Sequence, residues 1–232
     1  MGMADSTRAP RLARPKGRPA AAPSGVAREA LLDAAQDLFG RRGVAATPLS
    51  EVAKAAGVTP AMVHYYFSSR DQLLDALVAE RIGPLLAHVW GPVEASQGLE
   101  AILSGLVRRL LEGPGSKSWL PPLWIREVLS EGGQLRARVI QRLPSAKFAA
   151  LARAASEGQA AGTVNPDLEP ALLVLSIMGL VMLPLSMASL LPHLPGASGI
   201  GRAAIARHAE ALLRGGIQPT QPTNPRTRKR SA

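Results

Sequence analysis

Two short stretches, Thr47 to Ala56 and Thr59 to Tyr66, each open on a Thr-Pro pair and are joined by Gly57-Val58. Threonine before proline places a hydroxyl at the N-cap and the ring at the first helical position, where the missing N–H costs nothing. The spacing predicts one helix over about 49–56, a turn at Gly57, and a second helix running to about Tyr66. Two-turn helices are marginal in water on their own, so flanking helices must cover this pair. Val52, Ala53 and Ala56 face inward on the first, and Met62 and Val63 anchor the second. Small residues at 53 and 56 let the two helices cross closely and steeply, as in a helix-turn-helix. Phe39, Val44, Leu49, Phe67 and Leu73 are the apolar side chains available to close over it.

The flanks supply that cover. Ala27, Ala30, Leu31, Ala34, Ala35 and Leu38 recur at helical spacing and stop at Gly43. A fourth helix starts at Ser69, with Gln72 as its box partner, and runs through Leu73, Leu74, Leu77 and Val78 past a kink at Gly83-Pro84. Further helices are expected over 94–111, 122–130, 135–160 with a break at Pro144, 168–191 and 198–214. No segment alternates as a strand. The expected fold is all-α: a helix-turn-helix DNA-binding domain over 24–70 and a larger helical domain over 71–216. A disordered basic arm over 1–23 and a disordered basic tail over 217–232 are expected to flank them.

Charge is distributed in the same sense. Residues 1–70 hold ten Lys/Arg against five Asp/Glu, 71–216 hold thirteen against twelve, and 217–232 hold four against none. A nearly neutral body with basic ends points to a localised polyanion contact, with solubilising tails as the plainer alternative. With no cysteine there is no disulfide, thiolate zinc site or cysteine nucleophile. That suits the cytoplasm, and no apolar run follows the first residues to suggest a signal peptide.

Three blocks carry a family resemblance: Phe39-Gly40-Arg41-Arg42-Gly43-Val44-Ala45-Ala46-Thr47, Val52-Ala53-Lys54-Ala55-Ala56-Gly57-Val58-Thr59, and His64-Tyr65-Tyr66-Phe67-Ser68-Ser69-Arg70-Asp71-Gln72-Leu73-Leu74. In that order and spacing they resemble the DNA-binding domain of the TetR family of bacterial transcriptional regulators, over about 25–78. The resemblance implies a homodimeric, ligand-responsive regulator, usually a repressor, that binds double-stranded operator DNA. It implies that Thr47 and Pro48 present helix N-terminal amides to a phosphate. Thr59, Pro60, Ala61 and Met62 would face the major groove, with Tyr65 beside them. His64 stands where an aromatic is usual, Tyr66 would touch a phosphate, and Arg70 takes the place of the usual lysine. The recognition helix carries no Arg or Gln for bases, so contact with thymine methyls carries more of the readout. Phe67 is read as core. In the arm, Arg14, Lys16 and Arg18 surround a Gly-Arg-Pro core similar to that of an AT-hook, which would fit a narrow minor groove.

The run 171–191 has no charged residue, which by length nominates a membrane span. Pro184 interrupts it and no aromatic belt flanks it, so no membrane contact is expected. In the resembled family the last two long helices form the dimer's four-helix bundle, here 168–191 and 198–214. Gly199-Ile200-Gly201-Arg202-Ala203-Ala204 matches a dinucleotide fingerprint by letters but lacks a preceding strand. His64, His88, His193 and His208 show no metal spacing and no nucleophile elbow exists, so neither metal, cofactor nor catalysis is expected. For an unknown small-molecule effector, the pocket candidates are His88, Trp90, Trp119, Trp124, Arg126, Met178 and Met182, a set suited to an apolar or weakly acidic ligand. The competing readings are a basic architectural DNA binder without a ligand and an enzyme with an appended DNA-binding domain.

Overall fold

The computed structural model describes residues 24–219. The arm, with Arg14, Lys16 and Arg18, and the tail from 220 lie outside the described residues. Among the described residues every regular element is helical. Helix α1 spans Ser24–Arg42, α2 Leu49–Ala55, α3 Pro60–Tyr66 and α4 Arg70–Leu77. A π-helical turn, Val78–Ile82, leads into α5, Gly83–Trp90. Then come α6, Leu99–Glu112, and α7, Leu120–Leu123, which runs into a second π-helical turn, Trp124–Leu129. Helices α8 (Arg136–Ile140), α9 (Ser145–Ala160), α10 (Leu173–Ser186) and α11 (Arg202–Ile217) complete the chain. No helix among them is long and apolar enough to cross a membrane.

Helix α1 ends as expected at Gly43, whose φ of 85° is open to glycine and whose N–H reaches the Phe39 carbonyl at 2.8 Å. The expected kink at Gly83-Pro84 is replaced by the π-helical turn just before it. Proline has no N–H, and its ring presses on the carbonyl one turn back. Here Gly83 N–H bonds to the Val78 carbonyl, so the turn ahead of the ring is widened and the helix continues into α5. The span expected over 168–191 is shorter, with 3-10 turns at Pro170–Leu172 and Leu191–His193 bounding α10.

Two apolar clusters form the interior. The first joins Leu31, Ala35 and Phe39 of α1 to Val52 and Ala53 of α2, Val63 of α3, and Leu73, Leu74 and Leu77 of α4. It does not stop there. Trp119, Leu120, Leu123, Trp124 and Val128 belong to the same cluster, as do Leu135, Val139 and Met182. The second cluster gathers α6, α9, α10 and α11 around Leu103, Leu106, Leu151, Ile177 and Ala209.

Charged pairs tie α1 to the first π-helical turn. Arg28 donates to both carboxylate oxygens of Glu80, at 2.7 and 2.5 Å, and Arg81 reaches Glu29 at 2.7 Å and Asp33 at 3.0 Å. The hydrogen bond from Arg28 holds the Glu80 carboxyl below its ordinary value, against an opposing effect of burial. A depressed carboxylate stabilises the fold above its unfolded value and loses that contribution as pH falls through the folded one. The Arg28–Glu80 contribution is therefore complete above about pH 4.5 and fades below it. Glu80→Gln should lower the melting temperature at neutral pH and flatten its acid decline. Parallel melting curves for the two proteins, from neutral to acid, would show that the pair adds nothing.

Candidate nucleic-acid interface and its neighbouring cavity

The α2–α3 unit is closed by Gly57, at φ 68°, and by the Val58 N–H bonding to the Ala53 carbonyl at 3.0 Å. Val63 turns inward and Met62 and Tyr66 are half-buried, so the outward face of α3 is made by its first turn and the next. Thr59, Pro60, Ala61, His64 and Tyr65 share that exposed face. Tyr65 is 78% exposed, its ring edge-on to Tyr66 with centroids 5.0 Å apart. Phe67 is buried, with the Arg28 guanidinium 5.2 Å from its ring centroid. Lys54, exposed on α2, adds a cation that the sequence reading had not singled out.

Three expectations at this face are corrected. Thr47 is fully buried and its hydroxyl donates back to the Gly43 carbonyl at 2.8 Å, so it does not cap α2; Pro48 holds the N-cap position. Thr59 does hold the N-cap of α3, with Pro60 next, but its hydroxyl makes no capping bond. Arg70 is turned inward as well. Its guanidinium donates to the Val44 carbonyl and, at 3.0 Å, to the Thr47 carbonyl. One nitrogen, Nη2, thus bridges two carbonyls at the α1–α2 turn. Arg70 is thereby a brace for α2 and is not presented to a phosphate.

Behind this unit lies a cavity of about 420 Å³. Its wall comes from the first π-helical turn and α5 (Ile82, Leu86, Val89, Trp90), the second π-helical turn (Trp124, Ile125, Val128, Leu129), α8 (Arg136, Ile140) and α10 (Leu175, Met178, Gly179, Met182). Trp90 packs edge-on against Phe148, centroids 4.5 Å apart. Trp124 is buried, and its indole N–H finds no acceptor among the described residues. Arg136 is the cation of the wall, with one N–H on the Leu129 carbonyl at 2.9 Å.

Of the residues nominated for a pocket, Trp90, Trp124, Met178 and Met182 meet in this wall, whereas His88, Trp119 and Arg126 lie outside it. His88 is exposed on the far side of α5, against Gly113. Trp119 is packed on α1, where a Cβ at Gly40 would fall 2.7 Å from its carbonyl oxygen. Arg126 points from the second π-helical turn over Gly43. The cation that does face the cavity, Arg136, was missed because its short helix was merged into a longer one. With Leu135 and Val139 buried, the i, i+4 pair Arg136 and Ile140 necessarily shares another side.

A further surface is notable for being apolar. Leu172, Leu175, Leu183, Met187 and Leu190, in and around α10, are exposed, as is Leu212 of α11.

Comparison with known proteins bears on both ends of this arrangement. Residues 31–77 match the sequence profile of bacterial regulatory proteins of the tetR family. Over 83 residues, 36% of this chain and 41% of the relative, it is 39% identical to the HTH-type transcriptional regulator BetI of Rhizobium meliloti. It is 29% identical to the HTH-type transcriptional regulator SrpR of Pseudomonas putida over 124 residues, covering 53% of this chain and 57% of that one. The matched segment thus spans about half the length of these two regulators. The fold extends further. The ketosteroid transcriptional regulator KstR2 of Mycobacterium tuberculosis superposes with a TM-score of 0.64 at 21% identity, over 82% of this chain and 94% of that one. A transcriptional regulator from Saccharomonospora viridis, solved with choline, does so with a TM-score of 0.58 at 18% identity, over 84% and 98%.

The inward Arg70 makes a separable prediction. Arg70→Ala should lower unfolding stability by about 1–3 kcal/mol, since two buried carbonyls lose their donor. Chemical denaturation measures it; an unchanged midpoint would mean that the guanidinium is no brace.

Proposed function

This chain belongs to the TetR family of bacterial regulators, and on that premise we propose that it is a homodimeric regulator of transcription that leaves its operator when a small molecule enters the cavity. One observation carries the reading: the core that fixes α2 and α3 continues without a break into the cavity wall at Trp124, Val128 and Met182. Interiors are close-packed, so a ligand that reshapes the wall also acts on the helix-turn-helix. A basic architectural DNA binder would have no use for such a cavity.

In this proposal the exposed face of α3 enters the major groove. Ala61, Met62 and the Thr59 methyl meet base edges, and His64 and Tyr65 reach the groove wall. Lys54 and Tyr66 take phosphates, the helix start at Pro48 adds backbone amides, and the arm with Arg14, Lys16 and Arg18 follows the minor groove. The exposed apolar side chains of α10 and α11 seat the second copy, placing the two α3 helices about 34 Å apart for adjacent major grooves. The effector has a mostly apolar body with one acceptor or anionic group. Arg136 meets that group, and the Trp124 indole N–H is the donor left for it. The ketosteroid regulator and the choline-bound regulator share the fold; this wall, with one cation and no carboxylate, favours the first kind of body over a quaternary ammonium. The protein acts in the cytoplasm, as a repressor.

Operator sequences are to be selected from a random duplex library at fixed salt, and compounds found by thermal shift then tested for release. By linkage an effector that loosens DNA binds the DNA-bound protein more weakly by the same factor, about 5- to 150-fold. Equal affinities with and without the selected duplex would exclude ligand release. For the dimer, Leu183→Arg or Leu212→Arg changes a residue that is exposed in the single chain, so the fold should survive. Sedimentation should show a monomer, and binding to the selected duplex should be lost; an intact dimer would move the interface elsewhere.

A further inference from the structure

Glu127 belongs to the second π-helical turn, four of whose six residues line the cavity, yet its own side chain points the other way. It is 5% exposed. Oε1 accepts the Val44 N–H at 2.8 Å and Oε2 accepts the Gln134 N–H at 3.0 Å. Burying a carboxylate is costly unless donors replace its water, and two backbone amides do so here. Val44 stands in the turn between α1 and α2, 83 residues away in the chain. Its carbonyl is held from the opposite direction by Arg70, the first residue of α4. One residue is thus gripped by its N–H from the cavity wall and by its C=O from α4.

The fit around that grip is close. A Cβ at Gly43 would fall 2.8 Å from Arg126 Cδ and 3.1 Å from Glu127 Oε1. A Cβ at Gly133 would fall 2.2 Å from the Glu127 carbonyl oxygen, so the loop after the π-helical turn lies directly on it. No slack separates the cavity wall from the α1–α2 turn. π-helical turns are uncommon and recur at functional sites, and tightening one returns the helix to the α register.

We infer that Glu127 is a positioning residue that couples occupancy of the cavity to the placement of α2 and α3. This rests on the reading of the cavity as an effector site. A ligand pressing on Trp124 and Val128 rewinds the turn and withdraws the carboxylate from the Val44 N–H. Freed on that side, the α1–α2 turn no longer fixes the entry to α2. The route is distinct from any motion along α4, because it enters the DNA-binding elements at their other end.

The test uses the full chain and N-phenyl-1-naphthylamine, a neutral dye that brightens in apolar surroundings. Loss of its binding in Met178→Trp, which fills the space, assigns it to the cavity. Hydrogen–deuterium exchange is followed at residues 43–48, with α6 as internal reference. In the wild type, saturating dye should speed exchange at 43–48 by at least about 5-fold, the lower end of ordinary coupling. In Glu127→Ala the same amides should exchange fast without dye, dye should add nothing, and by linkage dye should bind more tightly than to the wild type, by about the factor with which it speeds wild-type exchange. Glu127→Gln, isosteric and with one acceptor left, should respond in between, and it serves if the alanine variant does not fold. Cavity-bound dye without a change at 43–48 in the wild type, or an undiminished response in both variants, overturns the coupling. A dye that does not occupy the cavity removes the effector reading, and this inference with it.

Discussion

The helices that present the outward face of this protein are seven residues each, too short to be stable by their own hydrogen bonds. Their conformation is imposed by what they bury against. Val52, Ala53 and Val63 are almost wholly removed from water, and the partners that remove them are Phe39 and Leu31 from α1 and Leu73 and Leu74 from α4. Behind these stand Trp119, Leu123 and Trp124. The α2–α3 unit therefore borrows its shape from three directions at once. A change in any of the three reaches it, and one of the three is also the wall of the cavity.

Ion pairs add register to this packing more than they add energy. Arg28–Glu80 and Arg81 with Glu29 and Asp33 lock α1 against the first π-helical turn. Arg138 of α8 does the same for α4, reaching Asp75 and Asp71 at 2.6 Å each. Burial pushes the Arg138 guanidinium down, and the bonds to Asp75 and Asp71 outweigh it and raise it overall. The carboxylates are largely exposed, so each pair is worth little alone. Their placement matters more: the short helix that puts Arg136 and Ile140 in the cavity wall puts Arg138 on α4. Arg109, buried on α6 with its Nε–H on the Val89 carbonyl at 2.8 Å, fixes the end of α5 in the same manner.

What the sequence made legible was punctuation and periodicity. The Thr-Pro pairs and Gly57 marked α2 and α3 to within a residue or two, and the apolar stripe of α1 and Phe67 were read as core, where they lie. What it hid depended on which side of a helix a residue faces or on a side chain's choice of partner. Arg126 was nominated as a cation near Trp124, but two residues along a helix turn a side chain to nearly the opposite side, so it lies over Gly43 and not in the cavity. Thr47 and Arg70 look like phosphate ligands by position, yet both are spent on carbonyls left open where α1 ends. The glycine that closes α1 leaves those carbonyls in a tight turn, and the nearest donors satisfy them.

The two π-helical turns share a geometry that decides how motion can pass between cavity and helix-turn-helix. Both line the cavity and both touch elements that hold α2 and α3. The first is clamped to α1 by two arginines and three carboxylates, so a rigid swing of α4 and α5 must carry α1 along or break those pairs. The second meets the α1–α2 turn through one carboxylate and the Val44 N–H. The exposed pairs of that clamp are individually weak, but a swing must shift them together with the apolar contacts between α1 and α4, whereas the second route turns on one buried carboxylate and one amide. An apolar guest of modest size, pressing on the wall from inside, therefore has its more local path through Trp124 and Val128, and α1 with α4 serves as the frame against which α2 shifts.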